Sequence, residues 1–170
     1  KRVRVRSTRM VSMVHRHLAV MTFEITLLDA AAPVVVSSQL MNRQDGEDEY
    51  HVKSAALGEG MDPRKARKFT DRVLRPRLQR EHENEIILGY RCNHSGMTLA
   101  CGTRHSIDTG CDVEVSTQVS PDLTKTVFSV RATVGEPIRI TKLVTYHSST
   151  GVPAEELADR CTRSLGRAET

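Results

Sequence analysis

Residues 111–134 read CDVEVSTQVSPDLTKTVFSVRATV, and the alternation in this stretch decides the fold class. Cys111, Val113, Val115, Thr117 and Val119 alternate with Asp112, Glu114, Ser116 and Gln118. A period of two is that of a β-strand, whose successive side chains point to opposite faces, so the run predicts a strand with one polar face. Ser120, Pro121 and Asp122 predict a turn, with Pro at a position whose φ it presets. Beyond it Phe128, Val130, Ala132 and Val134 share a face, which predicts a second strand over residues 123–134. Strands joined by so short a turn pair antiparallel.

The same pattern extends outward. Towards the N-terminus, Val3 and Val5 alternate with Arg2, Arg4 and Arg6, and Val11 and Met13 keep the phase. Ala19, Met21, Phe23, Ile25 and Leu27 form the next alternating set, and Pro33 opens a β-branched run from Val34 to Met41. Ile86 to Cys92 and Met97 to Thr103 flank Asn93-His94-Ser95-Gly96, a hairpin turn in which Gly supplies positive φ; with the turn centred there, Cys92 faces Met97 and Cys101 faces Leu88. Gly135 and Pro137 lead into a last strand, Ile138 to His147. Seven or eight short strands separated by turn signals predict a mainly β chain, an antiparallel β-sandwich or barrel over residues 1–150.

Two segments break the pattern. Residues 42–84 carry little periodicity and read as a long connection, with one short helix starting at Asp62-Pro63-Arg64, reaching Phe69 or Leu74 and stopped by Pro76. After Pro153, Leu157, Ala158, Cys161 and Leu165 recur at helical spacing, with Glu155 and Glu156 early and Arg163 and Arg167 late, as a helix dipole favours. Residues 151–170 are therefore expected to begin a helical linker.

Composition narrows the classes of function. A chain of 170 residues can bury one core without staples, and its four cysteines, Cys92, Cys101, Cys111 and Cys161, have no regular spacing. They read as reduced thiols, so a cytoplasmic location is expected and the Asn93-His94-Ser95 glycosylation sequon is discounted. No apolar run approaches the roughly 20 residues of a membrane span, and the basic, alternating start is not a secretory signal. The chain opens in mid-pattern without an initiator Met, which reads as a piece of something longer. A net charge of +4 permits a polyanion without requiring one; the acidic run Asp45, Glu47, Asp48 and Glu49 and the basic run Arg64 to Arg80 read as solvated faces.

Each chemical motif has a structural explanation beside it. Cys92, His94, Cys101, His105 and Cys111 are zinc-ligand types, but the hairpin register holds Cys92 and Cys101 too far apart for one tetrahedral ion, so no metal is expected. His15 and His17 lack an accompanying nucleophile motif, and Gly58-Glu59-Gly60 lacks the Lys and Ser/Thr of a phosphate loop. Asp112 and Glu114 lie about two residues apart on a polar strand face, as solvated acids commonly do. Nucleic acid and sugar platforms need aromatic side chains, and here Phe69 alone interrupts the basic stretch, with no Trp in the chain. No catalytic residue and no cofactor are assigned, and no substrate-binding residue is identified. A stand-alone carbohydrate-binding module and a nucleic-acid-binding β protein are the rival readings.

Arg6-Ser7-Thr8-Arg9-Met10-Val11-Ser12, followed by His15-Arg16-His17-Leu18-Ala19, resembles a segment of glycoside hydrolase family 65 N-terminal domains, with Met10 where an aromatic is more usual. The run from Pro33 to Arg43 resembles the family's strand into an Asn-Arg turn, and Thr141 to Ser149 resembles its closing strand. The resemblance implies part of a galactose mutarotase-like supersandwich, with the sandwich's opening strands lying ahead of Lys1. It also implies a helical linker leading to an (α/α)₆ catalytic barrel that carries the acid and the phosphate loop. It further implies a parent that hydrolyses or phosphorolyses trehalose, maltose or kojibiose, with inorganic phosphate as a co-substrate in the second case. On this reading the chain alone is an inactive scaffold and binds neither nucleic acid nor membrane. The stripe of Leu157, Cys161 and Leu165 belongs against the barrel, and its exposure would make the chain a homo-oligomer.

Overall fold

The computed structural model describes residues 1–42 and 72–168. Along the chain run β1 (Val3–Val11), β2 (Leu18–Leu27), β3 (Ala32–Met41), β4 (Leu74–His82), β5 (Glu85–Cys92), β6 (Thr98–Asp108), β7 (Val113–Val119), β8 (Leu123–Ala132), β9 (Pro137–Ser149) and the helix α1 (Ala154–Arg167). They form a six-stranded sheet in the order β1-β2-β9-β6-β5-β4 and a three-stranded sheet in the order β3-β8-β7. All neighbouring strands are antiparallel. The mainly β, antiparallel sandwich with a C-terminal helix is the fold class expected from the alternation.

The alternating residues make the sandwich. Phe128, Val130 and Ala132 of β8 bury against Leu27 of β2 and Ile138 and Ile140 of β9, with Val34, Val36, Ile107 and Val113 closing around them. Each such side chain contributes roughly 1.5–3 kcal/mol when fully removed from water. The small sheet leaves part of β1 and β2 uncovered, and Val3, Val5, Val11 and Met21 are exposed. The predicted hairpin register holds: Cys92 N–H donates to the Met97 carbonyl at 2.7 Å, and Leu88 pairs with Cys101.

Two expectations are corrected. The stripe of Leu157, Cys161 and Leu165 is not left bare, since all three are 0% exposed, and Leu157, Ala158 and Cys161 pack on Ile87 and Ala100 on the face of the large sheet away from the sandwich. The sheet accepts the helix because Ile86, Ile87 and Leu88 are consecutive apolar residues, buried on both faces of β5, and because Gly102 lets α1 approach closely. A Cβ on Gly102 would meet Thr145 Cγ2 at 3.0 Å and Cys161 Cβ at 3.2 Å.

The second correction concerns residues 74–82, read above as the end of a connection and its helix stop. They form edge strand β4, in which half-buried Leu74, Pro76 and Leu78 alternate with exposed Arg75, Arg77 and Gln79. Pro76 sits beside a register shift between Pro76 and Leu78, and an edge strand with a bulge is where a sheet tolerates a residue lacking an N–H. The acidic run, Gly58-Glu59-Gly60 and the helix predicted at Asp62-Pro63-Arg64 lie outside the described residues. Both residues flanking that segment converge on Asp122: Asn42 Nδ2 donates to its Oδ1 at 3.0 Å, and the Arg72 guanidinium pairs with the same carboxylate.

Candidate functional site

The fold scatters the residues that invited a zinc reading. Cys92 and His94 stand at the β5–β6 turn, Cys101 and His105 on β6 point into the sandwich, and Cys111 Sγ lies 3.6 Å from Thr133 Oγ1 ahead of β7. Among the described residues, no group of three or more His, Cys, Asp or Glu is close enough to hold a metal ion.

His15 and Arg16 are exposed in the β1–β2 connection. His17 takes a left-handed φ of 72° there, and its ring stacks on His147 with centroids 4.4 Å apart. His147 Nε2 is 2.9 Å from Ser164 Oγ, the length of a nucleophile–base contact. The surroundings are wrong for a base, however. Burial first, then His17, Arg160 and Arg163, push the His147 pKa down, so the imidazolium that a serine nucleophile requires is disfavoured. The contact instead ties α1 to β9.

Several of the described carboxylates are similarly committed. Glycoside cleavage uses two carboxyl groups roughly 5–10 Å apart across a cleft. Here Glu24 is held by Arg139, Glu85 by Arg104, Asp159 by Arg80 and Glu156 by Arg160. Asp112 and Glu114 stand at the small sheet's edge, with Glu114 exposed.

The most developed polar cluster lies between the sheets. His105 Nε2 is 2.8 Å from Ser38 Oγ, and Lys142 Nζ donates to the Gln39 carbonyl at 2.7 Å. Burial, reinforced by the nearby Lys142 charge, lowers the His105 pKa to about 4, so the imidazole is neutral at pH 7. Burial pushes the Cys101 thiol up to about 11 and lowers Lys142. Tyr90 is also raised by burial and then by Asp122, and its hydroxyl donates to the Pro121 carbonyl at 2.9 Å. Beside His105 opens a cleft of about 270 Å³ lined by Ile86, Ile107, Val115, Thr117 and Phe128. With the imidazole engaged by Ser38, this cluster clamps β6 and β9 to β3. It is a polar seam in the sandwich whose hydrogen bonds join strands of the two sheets.

Sequence reasoning passed over Lys142, Glu85 and Arg104. Lys142 was legible in principle: it shares a phase with Ile138 and Ile140 on β9, and a charge in an apolar phase marks an inward polar contact.

Comparison with known proteins adds what the geometry lacks. The family model described as glycosyl hydrolase family 65, N-terminal domain, matches residues 1–170. A glycosyl hydrolase of Mycobacterium tuberculosis, itself uncharacterized, is 27% identical over 97% of this chain and 20% of its own length. One from Mycobacterium leprae is 29% identical over 97% of this chain and 19% of its own. The chain thus spans about a fifth of the curated relatives it matches. Among solved structures, "Putative kojibiose phosphorylase from human microbiome" superposes with a TM-score of 0.71 at 14% identity, over 98% of this chain and 19% of that one.

Proposed function

The chain belongs to the glycosyl hydrolase family 65 N-terminal domain family, and from that premise we propose that it is the non-catalytic β-sandwich portion of an α-glucoside-cleaving enzyme. The observation that carries the proposal is the family match along residues 1–170 of a chain that covers about a fifth of its relatives. Four of its described carboxylates, Glu24, Glu85, Glu156 and Asp159, are held in ion pairs, which supports a scaffold role. The reaction centre lies, on this reading, in an (α/α)₆ barrel of the same parent chain. That barrel acts on a disaccharide such as trehalose, maltose or kojibiose, with water or inorganic phosphate as acceptor. Residues 1–150 form the sandwich unit and residues 151–170 begin the linker. The parent works in the cytoplasm, a reading that the four free cysteines support.

The test is to incubate this chain and the full-length gene product with each disaccharide, with and without phosphate. Glucose or glucose 1-phosphate is expected from the full-length protein alone. Sustained release by the isolated chain, lost on mutating one of its own residues, would overturn the scaffold assignment.

A further inference from the structure

We infer that the recess between Arg75, Arg77, Arg91 and the turn at 93–96 is a binding site for a phosphate group. The site is independent of the reading above. Its walls come from three places in the sequence that only the fold brings together. Arg75 of β4 and Arg91 of β5 stand directly opposite each other in the sheet register. Directly opposed like charges destabilise a strand pair, so the placement opposes folding unless something anionic sits there. Arg77 is the residue that the register shift between Pro76 and Leu78 leaves without a cross-strand partner, and it lines the same recess of about 360 Å³.

Among the described residues no carboxylate neutralises these charges. Arg80, on the same strand, holds Asp159, but among the described residues Arg75, Arg77 and Arg91 hold no carboxylate, and none lines the recess. A guanidinium presents its N–H groups as a planar fork that matches a phosphate's oxygens two at a time, and three forks around one small recess suit a dianion with several oxygens.

The turn supplies the remaining wall. Gly96 holds a φ of +68°, and the N–H groups of His94 and Ser95, with the Ser95 hydroxyl, are turned towards Cys92, whose thiol also lines the recess. The same donors lower the Cys92 pKa, and the turn's peptide N–H groups stand at one wall of the recess beside the three guanidinium groups. Arg91 reaches over the turn, its Nη2 3.5 Å from where a Gly96 Cβ would lie.

The experiment uses this chain at low ionic strength, with calorimetric titration and thermal melts against inorganic phosphate, glycerol 3-phosphate and a short single-stranded oligonucleotide. Variants are Arg75→Gln, Arg91→Gln and Arg91→Lys, all at exposed positions. Phosphate or its ester is expected to bind and raise the melting temperature, with either Gln substitution weakening binding at least about tenfold. Arg91→Lys, which keeps the charge and loses the fork, is expected to fall between. Ligand-free Arg75→Gln should melt above the wild type, because the opposed charges are gone. Tighter binding of the ester than of inorganic phosphate would support a phosphorylated metabolite as the source, and the reverse would support the free ion. The inference is overturned by an absent shift, by equal shifts in wild type and Gln variants, or by Arg75-dependent binding of the oligonucleotide alone.

Discussion

His105 of β6 and Ser38 of β3, 67 residues apart in the chain, meet across the sandwich with 2.8 Å between Nε2 and Oγ. The bond lies in a seam where burial holds the imidazole neutral, with a pKa of about 4. An unfolded histidine titrates near 6.5. The folded pKa is the lower one, so the unfolded chain binds more protons between the two values and stability falls as the solution is acidified through that window. We expect His105 to account for a loss of about 2 kcal/mol between pH 8 and pH 5. His147, also shifted down, adds in the same direction. Urea midpoints at the two pH values measure the loss, and His105→Gln should flatten the dependence; an unchanged slope would assign it elsewhere.

Thr103 is 0% exposed, and its Oγ1 has no hydrogen-bond partner among the described residues. A buried hydroxyl without a partner has lost water for nothing, a cost of roughly 1–3 kcal/mol. Thr103→Val keeps the shape and removes the polar atom. Chemical denaturation should show a gain of about 1 kcal/mol, whereas a destabilised variant would reveal a bond that the hydroxyl makes.

Glu85 and Arg104, opposite each other on β5 and β6, form an ion pair whose side chains are 8% and 14% exposed. Removing one partner strands a buried charge, so Arg104→Met should cost about 3–5 kcal/mol. Glu85→Met/Arg104→Met should cost clearly less than that single change, since it removes both charges. A double-mutant cycle with additive effects would refute the coupling.

How legible was all this in the sequence? Strands with one wet face were legible because their alternation survives any tertiary context, as in Cys111 to Val119 and Ala19 to Leu27. The register of Cys101 against Leu88 followed from one glycine-bearing turn. Strand β4 was lost because Pro76 reads as a helix stop unless the strand is known to be an edge, which depends on the order of the other five. The destination of α1 was lost for a related reason: Leu157 and Leu165 advertise an apolar stripe, but the sheet that receives it is assembled from distant segments. Of the polar seam, His105 and Cys101 drew notice as ligand types, while their true neighbours, Ser38 and Lys142, depended on how the two sheets cross.

The corrected position of α1 changes what its substitutions should do. Leu157 is fully buried against the large sheet, so Leu157→Ala should destabilise the chain by about 2–5 kcal/mol. Leu157→Glu, which an exposed stripe would tolerate, should instead detach the helix and lower the melting temperature further. Circular dichroism during thermal unfolding measures both, and a Glu variant as stable as the wild type would restore the exposed stripe.

The sheet order also sets a timetable for synthesis. β2 pairs with β9 and β3 with β8, so strands near the start of the chain find their partners only when its far end has been made. At roughly 5–20 residues per second, β2 waits on the order of ten seconds for β9 to leave the ribosome. Until then its company is β1, and an isolated hairpin is marginal in water. During that interval Val3, Val5 and Met21 face a crowded solution beside a free strand edge, and neighbouring nascent chains carry the same sequence. Charged side chains along an edge discourage such pairing. Arg4, Arg6 and Arg9 of exposed β1 supply such charges during the wait for β9.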